Sequence, residues 1–167
     1  MHAVAARLEN VVLVRRVITR VEASCSEDFE AVSEQEFIRR RDAGAFALDW
    51  QAHGLCYGIP GHVHDLKARG QIVLFNGSRA MLCEAANVFE GLGVLHVTAN
   101  AEAVAKRLRA RQRESEAAIV RRMKRVDLPL SEGLAATRID NSGALEDAIE
   151  AMVAALRGGV TSTVPGR

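Results

Sequence analysis

The chain has 167 residues, 49% of them apolar, with 22 basic against 21 acidic side chains and a formal charge of +1. That length suits one ordinary domain with a real core. The near-neutral balance argues against a nucleic-acid coat or a polybasic membrane patch, and an aromatic share of 4% leaves few rings for base stacking.

In chain order, residues 3–9 (AVAARLE) read as a short helix or the tail of one. Residues 11–14 are a buried strand by composition. VRRVITR then puts Arg15, Arg16 and Arg20 close behind it. A guanidinium presents a planar fork of donors that suits phosphate and carboxylate. Arg15 and Arg16 are neighbours, so in extended chain they point to opposite faces. Arg15 is therefore expected to be structural or solvent-facing. Residues 21–32 look irregular and acidic. Ser33, with Glu36 three positions on, predicts a capped helix that stops at Gly44.

AFALDW and GLCYGI predict two short strands with a tight connection at residues 51–53. Residues 61–69 predict a helix ending at Gly70. In it His62 and His64 are spaced i,i+2 and diverge, which argues against a metal pair. QIVLFNGS is a solid apolar run ending in a turn, so a strand buried on both faces is expected. A helix follows over 80–90, and GVLHVTA predicts another buried strand. Residues 101–126 carry a long basic helical signal with a break near Gln112, ended by Pro129. ATRIDNSG reads as strand and turn, 144–156 as a closing amphipathic helix, and 158–167 as a flexible tail.

Strands alternating with helices predict an α/β fold with a mostly parallel sheet flanked by helices, in one domain spanning 1–167. Ligands of such sheets lie beyond the carboxyl ends of the strands. Residues 15–20 and 76–79 both fall there, and their convergence would make an anion site. Cys25, Cys56 and Cys83 are odd in number and lack CxxC spacing, which suits a reducing compartment. No apolar run approaches a membrane span, and MHAVAARLEN lacks the apolar region of a signal peptide. A cytoplasmic location is expected.

Taken in order, RRVITR, VSEQEF, GLCYGI, LFNGSRA, RLRARQRES and IDNSG resemble the ribose 1,5-bisphosphate phosphokinases, a guanylate-kinase-like branch of the P-loop kinases. The likeness runs from about Val11 to Leu156. No single motif is specific, but the ordered set is, above all NGSRA. The resemblance implies ATP-dependent phosphorylation of ribose 1,5-bisphosphate to phosphoribosyl diphosphate, in phosphonate breakdown and nucleotide supply. ATP and Mg²⁺ are the implied cofactors and a small sugar phosphate the implied partner, with no nucleic acid and no membrane.

It also implies roles. Arg20 matches the arginine that grips the acceptor phosphate, with Arg16 adding to that grip, and Tyr57 matches the tyrosine whose hydroxyl bonds it. Arg107, Arg111 and Arg122 match arginines of a lid at about 106–125 that close over the phosphates and act in catalysis. Asn141 falls on the adenine-pocket loop. Asn76, Ser78 and Arg79 become candidates for the sugar-phosphate site. Each has a plain structural alternative: a buried tyrosine with a satisfied hydroxyl, a solvated basic helix face, a turn at Asn76-Gly77, a cap at Ser78 and a surface cation at Arg79.

Two departures from the wider family matter. Where guanylate kinases read the guanine edge with an acid and a hydroxyl, this chain has Leu48 and Ile59, which would leave base N–H groups unpaired at about 1–3 kcal/mol each. A nucleobase acceptor is disfavoured. Asn76 stands near the position of a Mg²⁺-linked aspartate, as a weaker neutral oxygen. The second departure is that no GxxxxGK[ST] occurs in the chain. The family places that loop, and the strand before it, ahead of the AVAARLEN helix. The expectation is that the first strand and phosphate loop, roughly twenty residues, are missing from the recorded chain. Turnover by these residues alone is then expected to be impaired. The alternatives are a non-catalytic sugar-phosphate-binding remnant and a guanylate-kinase-type nucleotide kinase.

Overall fold

The computed structural model describes residues 1–20, 28–110 and 135–160. They fall into two compact units, Met1–Glu90 and Gly91–Arg167, each described by itself.

The first unit opens with α1 (His2–Ala5) and β1 (Val11–Leu13). β1 pairs in parallel with β6 (Ile72–Leu74), Val11 opposite Ile72 and Leu13 opposite Leu74. The chain leaves this ribbon at Val14, whose N–H still donates to the Leu74 carbonyl at 2.9 Å. It then enters a second, four-stranded sheet. Here β2 (Arg16–Ile18) runs parallel to β3 (Phe29–Ala31) and antiparallel to β5 (Leu55–Pro60). β4 (Phe46–Ala52) pairs antiparallel with β5. The expected parallel pairing is there in β1–β6 and β2–β3; the antiparallel pairings are the β4–β5 hairpin, which needs no helical crossover, and its contact with β2.

The hairpin turns at His53 (φ 54°) and Gly54 (φ 75°), one step later than expected. Two consecutive positive φ values form the two-residue turn whose twist matches the flanking strands. Strand β3 lies inside the stretch expected to be irregular. Its only sequence signal is one alternation, Phe29-Glu30-Ala31.

α2 (Glu34–Asp42) starts where the capping box predicts, with Ser33 Oγ accepting from the Glu36 N–H at 3.1 Å. It buries Phe37, whose ring stacks on Phe46 at 4.7 Å. On its outer side Glu36 accepts from Arg39 at 2.7 Å and Arg40 at 2.6 Å, and Arg40 reaches Glu30 at 2.7 Å. Hydrogen bonds from Arg39, then Arg40, pull the Glu36 carboxyl from 4.5 down to about 2. A carboxyl depressed in the folded state adds stability above its unfolded pKa and loses it as pH falls through the folded one. The contribution is modest because the pair is solvent-screened. Wild type should therefore lose more of its urea midpoint between about pH 5 and pH 3 than Glu36→Gln does. Equal losses in the two proteins would remove Glu36 as a cause.

α3 (Val63–Ala68) and α4 (Leu82–Val88) complete the unit, with a short 3₁₀ turn, Arg79–Met81, before α4. Ile72, Val73 and Leu74 are half-buried, not buried on both faces. Among the described residues β6 pairs with β1 alone, which leaves one edge of this ribbon strand without a neighbour.

The second unit pairs β7 (Leu95–Thr98) in parallel with β8 (Thr137–Asp140), from Leu95–Thr137 through Thr98–Asp140. α5 (Ala101–Ala110) follows β7, capped by Asn100, whose Oδ1 accepts from the Ala103 N–H at 2.7 Å. α6 (Leu145–Gly158) buries Ala148, Ile149, Met152, Val153 and Leu156 along one stripe, the predicted amphipathic face. Val97 stays 47% exposed, so β7 is not the wholly buried strand its composition suggests. No helix among the described residues is long and apolar enough to cross a membrane.

Candidate active site

The acceptor candidates of the first unit sit on the β2–β5–β4 sheet. Register places Ile18 opposite Tyr57 and Trp50 opposite Tyr57 on the other side. Cross-strand partners share a face, as do residues two apart. Arg16, Ile18, Trp50, Tyr57, Leu48 and Ile59 therefore share one face. The rings of Trp50 and Tyr57 stack at 5.2 Å, 7° from parallel. The Arg16 guanidinium lies 5.1 Å from the Tyr57 ring centre and 5.9 Å from that of Trp50. Both distances are within the range of cation–π attraction. The structure thus brings Arg16 and Tyr57 together. The indole that shares their stack, Trp50, was not among the sequence candidates.

Arg15 points elsewhere, as expected. Its Nε meets Asp28 at 2.8 Å and its Nη2 donates to the Phe29 carbonyl at 3.0 Å. It ties β3 to the start of β2.

Arg20 is exposed at the end of β2 and lines an open cavity of about 450 Å³ with Thr19, Ser33, Glu34, Gly54 and Cys56. Thr19 fixes this rim. Its N–H donates to the Cys56 carbonyl at 3.1 Å, and its Oγ1 accepts from the Cys56 N–H at 2.8 Å. Thr19 is a second residue that sequence reasoning passed over; its only signal is its place beside Arg20 in a β-rich stretch.

Leu48 and Ile59 face each other in register and are 3% and 0% exposed. This part of the face is dry and apolar. Asn76, Ser78 and Arg79 follow β6 as the reading placed them. Ser78 precedes the 3₁₀ turn without a side-chain capping bond, so the cap alternative does not describe it. Asn76 is half-buried and Arg79 exposed. His64, set aside as a metal ligand, packs against the Phe89 ring at 5.8 Å.

In the second unit Asn141 and Arg107 meet. Arg107 Nη1 donates to the Asn141 carbonyl at 2.6 Å and Nη2 to the Gly143 carbonyl at 3.3 Å. The same loop is braced at Ser142, whose hydroxyl donates to Asp140 at 2.6 Å and accepts from the Asn100 N–H at 2.8 Å. Hydrogen bonds from the Ser142 side chain and backbone hold the Asp140 carboxyl below its ordinary range. Asn141 Oδ1 is buried with no hydrogen-bond partner. Arg111, Arg122 and most of the lid at 106–125 lie outside the described residues, as does Cys25.

The first unit offers a cation stacked on a tyrosine and a second arginine at a cavity rim; the second unit, by itself, has a loop with an unmatched buried acceptor. Guanidinium and phenol groups are chemically suited to phosphate. Among the described residues no three His, Cys, Asp or Glu side chains gather as a metal cluster. Mg²⁺ in phosphoryl transfer is commonly held through substrate phosphates with only one or two carboxylates, so the donor set here does not conflict with an ATP-borne ion.

No protein-family model matches the chain. The fold is that of guanylate kinase: the Anaplasma phagocytophilum enzyme superposes with a TM-score of 0.64 at 20% identity, over 95% of this chain and 81% of that one. Among curated proteins, the ribose 1,5-bisphosphate phosphokinase of Agrobacterium fabrum is 42% identical over 151 residues, covering 90% of this chain and 82% of its own length. That of Ruegeria sp. is 47% identical over 137 residues, covering 81% and 72%. Identity of this order over most of both chains places the chain in the ribose 1,5-bisphosphate phosphokinase family of phosphotransferases.

Proposed function

We propose that the chain transfers the γ-phosphoryl group of ATP to the 1-phosphate of ribose 1,5-bisphosphate, giving phosphoribosyl diphosphate and ADP. One observation carries the reading: the Arg16–Tyr57–Trp50 stack lies on the same sheet face as the apolar Leu48–Ile59 pair. Phosphate finds a cation and a phenol there, whereas a nucleobase edge would find no partner for its N–H groups. A sugar phosphate therefore suits this face better than GMP.

Arg20 and Arg16 neutralise the acceptor phosphate and Tyr57 donates a hydrogen bond to it. Asn76, Ser78 and Arg79 contribute from the loop after β6. ATP brings Mg²⁺ and the transferable group, while Arg111 and Arg122 offset the charge that builds on the phosphoryl oxygens. Arg107, bonded to the Asn141 and Gly143 carbonyls, belongs with them as the third arginine of the lid. The setting is cytoplasmic, and the working unit is one kinase-like domain.

A second reading rests on the acceptor elements alone, Arg16, Arg20 and Tyr57, which all lie in the first unit. Under it the chain binds sugar phosphate without turnover, and ATP binds weakly. A coupled assay of ADP release, with ribose 1,5-bisphosphate as acceptor and GMP as control, separates the two. Slow ADP release with the sugar phosphate and none above background with GMP is the expected result. A melting shift by the sugar phosphate without ADP release would establish the second reading. Turnover with GMP would overturn both.

A further inference from the structure

We propose that Arg16 and Arg20 serve different phosphates of the acceptor. Arg20 holds the phosphate that receives the γ-phosphoryl group. Arg16, set against the Tyr57 and Trp50 rings, holds the second phosphate at the far end of the sugar. The proposal rests on the sugar-phosphate reading above and refines it, dividing between two subsites the pair of arginines placed there on one.

Three observations carry it. The first is register. Val17 pairs with Gly58 and Ile18 with Tyr57, so one step further sets Arg16 beside Ile59. In the other direction Thr19 is bonded to Cys56 through its N–H and its Oγ1. Cys56 and Ile59 are three residues apart along β5, about 10 Å. Tyr57 stands between the two ends. The second observation is a turn. The Arg20 N–H donates to the Ile18 carbonyl at 2.8 Å, only two residues back. So tight a turn ends the strand and carries Arg20 off the sheet to the cavity rim, which it shares with Ser33 and Glu34. Arg16 stays over the sheet. The third is the surroundings of Arg16. Its guanidinium rests 5.1 Å from the Tyr57 ring centre and 5.9 Å from that of Trp50, which holds the cation in place. Arg16 and Tyr57 are half-buried, so a ligand can reach them. Of the six side chains on this face Arg16 alone is charged, and the neighbouring Leu48 and Ile59 offer no hydrogen bond.

An anion at this end of the face is thus met by Arg16, and one at the rim by Arg20. Ribose 1,5-bisphosphate carries such a pair, with the sugar ring between them. A nucleoside monophosphate carries one phosphate and a neutral base, which would leave the second cation without an anion. The experiment is a calorimetric titration of the whole chain, without ATP, for wild type, Arg16→Gln, Arg16→Lys and Arg20→Ala. The ligands are ribose 1,5-bisphosphate, ribose 1-phosphate and ribose 5-phosphate. Deleting an arginine together with the phosphate it binds costs no more than deleting either alone, whereas deletions at separate subsites multiply.

Wild type is expected to bind the bisphosphate at least about tenfold more tightly than either monophosphate. Arg16→Gln should weaken ribose 5-phosphate by about tenfold and leave ribose 1-phosphate within about twofold of wild type. Arg20→Ala should show the reverse. Arg16→Lys keeps a point charge without the planar fork, so it should recover part of the ribose 5-phosphate affinity. Equal weakening of ribose 1-phosphate and the bisphosphate by Arg16→Gln would put both arginines on one phosphate and overturn the proposal. So would a wild type that binds the bisphosphate no better than the monophosphates, Arg16 variants that bind all three ligands as wild type does, or unfolding of both Arg16 variants. ADP release plays no part in this titration. Turnover can therefore fail while the crossed pattern stands, or hold while the pattern is absent, and the two readings fall separately.

Discussion

Replacing Arg20 with alanine is expected to abolish the melting shift caused by ribose 1,5-bisphosphate and to weaken its binding by about tenfold to a hundredfold. The size follows from the kind of bond lost. A charge-assisted hydrogen bond to phosphate contributes about 1.5–3 kcal/mol, roughly twice a neutral one. Arg20 stands exposed at the cavity rim, held there by the Thr19–Cys56 backbone pair, so the substitution removes a charged donor and little packing. Tyr57→Phe deletes only a neutral hydroxyl and keeps the ring stacked on Trp50, so a loss of about threefold to tenfold is expected. Arg15→Ala is the control. Its guanidinium is committed to Asp28 and the Phe29 carbonyl, and both partners of the ion pair are more than half exposed. It should leave the affinity within about twofold of wild type. Calorimetric titration of the four proteins with ribose 1,5-bisphosphate makes the comparison. Wild-type affinity in Arg20→Ala would remove this arginine from the acceptor site. An equal loss in Arg15→Ala would mean that overall charge is being measured.

The candidate site was legible where one residue's chemistry and one strand's alternation sufficed. Arg15 and Arg16 had to diverge, and they do. Tyr57 needed a partner, and the alternation that set Arg16 apart from Arg15 also put it over the Tyr57 ring. Trp50 could have been found. A two-residue turn at His53-Gly54 pairs Ala52 with Leu55 and hence Trp50 with Tyr57. Placing the connection at 51–53 lost that register, since a slip of one residue moves a side chain to the other face. β3 was hidden because three residues with one acidic neighbour carry almost no periodic signal. It forms as a strand because β2 offers it an edge. The half-burial of β6 and the exposure of Val97 were illegible for a related reason. Composition says that a strand could be covered, not how many strands cover it. Arg107 shows the other limit. Its spacing in RLRAR marks a helix face, but only the fold brings residues 141 and 143 to it from more than thirty positions away.

Gly58→Ala is expected to cost about 1–3 kcal/mol of stability and to weaken the acceptor site with it. A Cβ on Gly58 would sit 2.7 Å from Phe46 Cδ1 and Cε1 and 2.9 Å from Cγ, closer than such atoms pack. The far end of a flexible side chain could swing clear of it. The Phe46 ring has little freedom to do so, because it stacks at 4.7 Å on Phe37, which is 1% exposed beneath α2. Either the Phe37–Phe46 pair separates or β5 moves away from it. β5 is hydrogen-bonded on both edges, to β2 and to β4, so its displacement is shared by the strand carrying Arg16 and the strand carrying Trp50. Tyr57 is the residue just before it, and its position over the sheet follows. The glycine beside the tyrosine in GLCYGI is thus required by the ring behind the strand, while the tyrosine ring stacks on Trp50 in front of it. Urea unfolding and calorimetry on one preparation test both halves. A lowered midpoint with wild-type ribose 1,5-bisphosphate affinity would show that the strain stays behind the sheet. An unchanged midpoint would show that Phe46 yields and that the glycine is not needed for space.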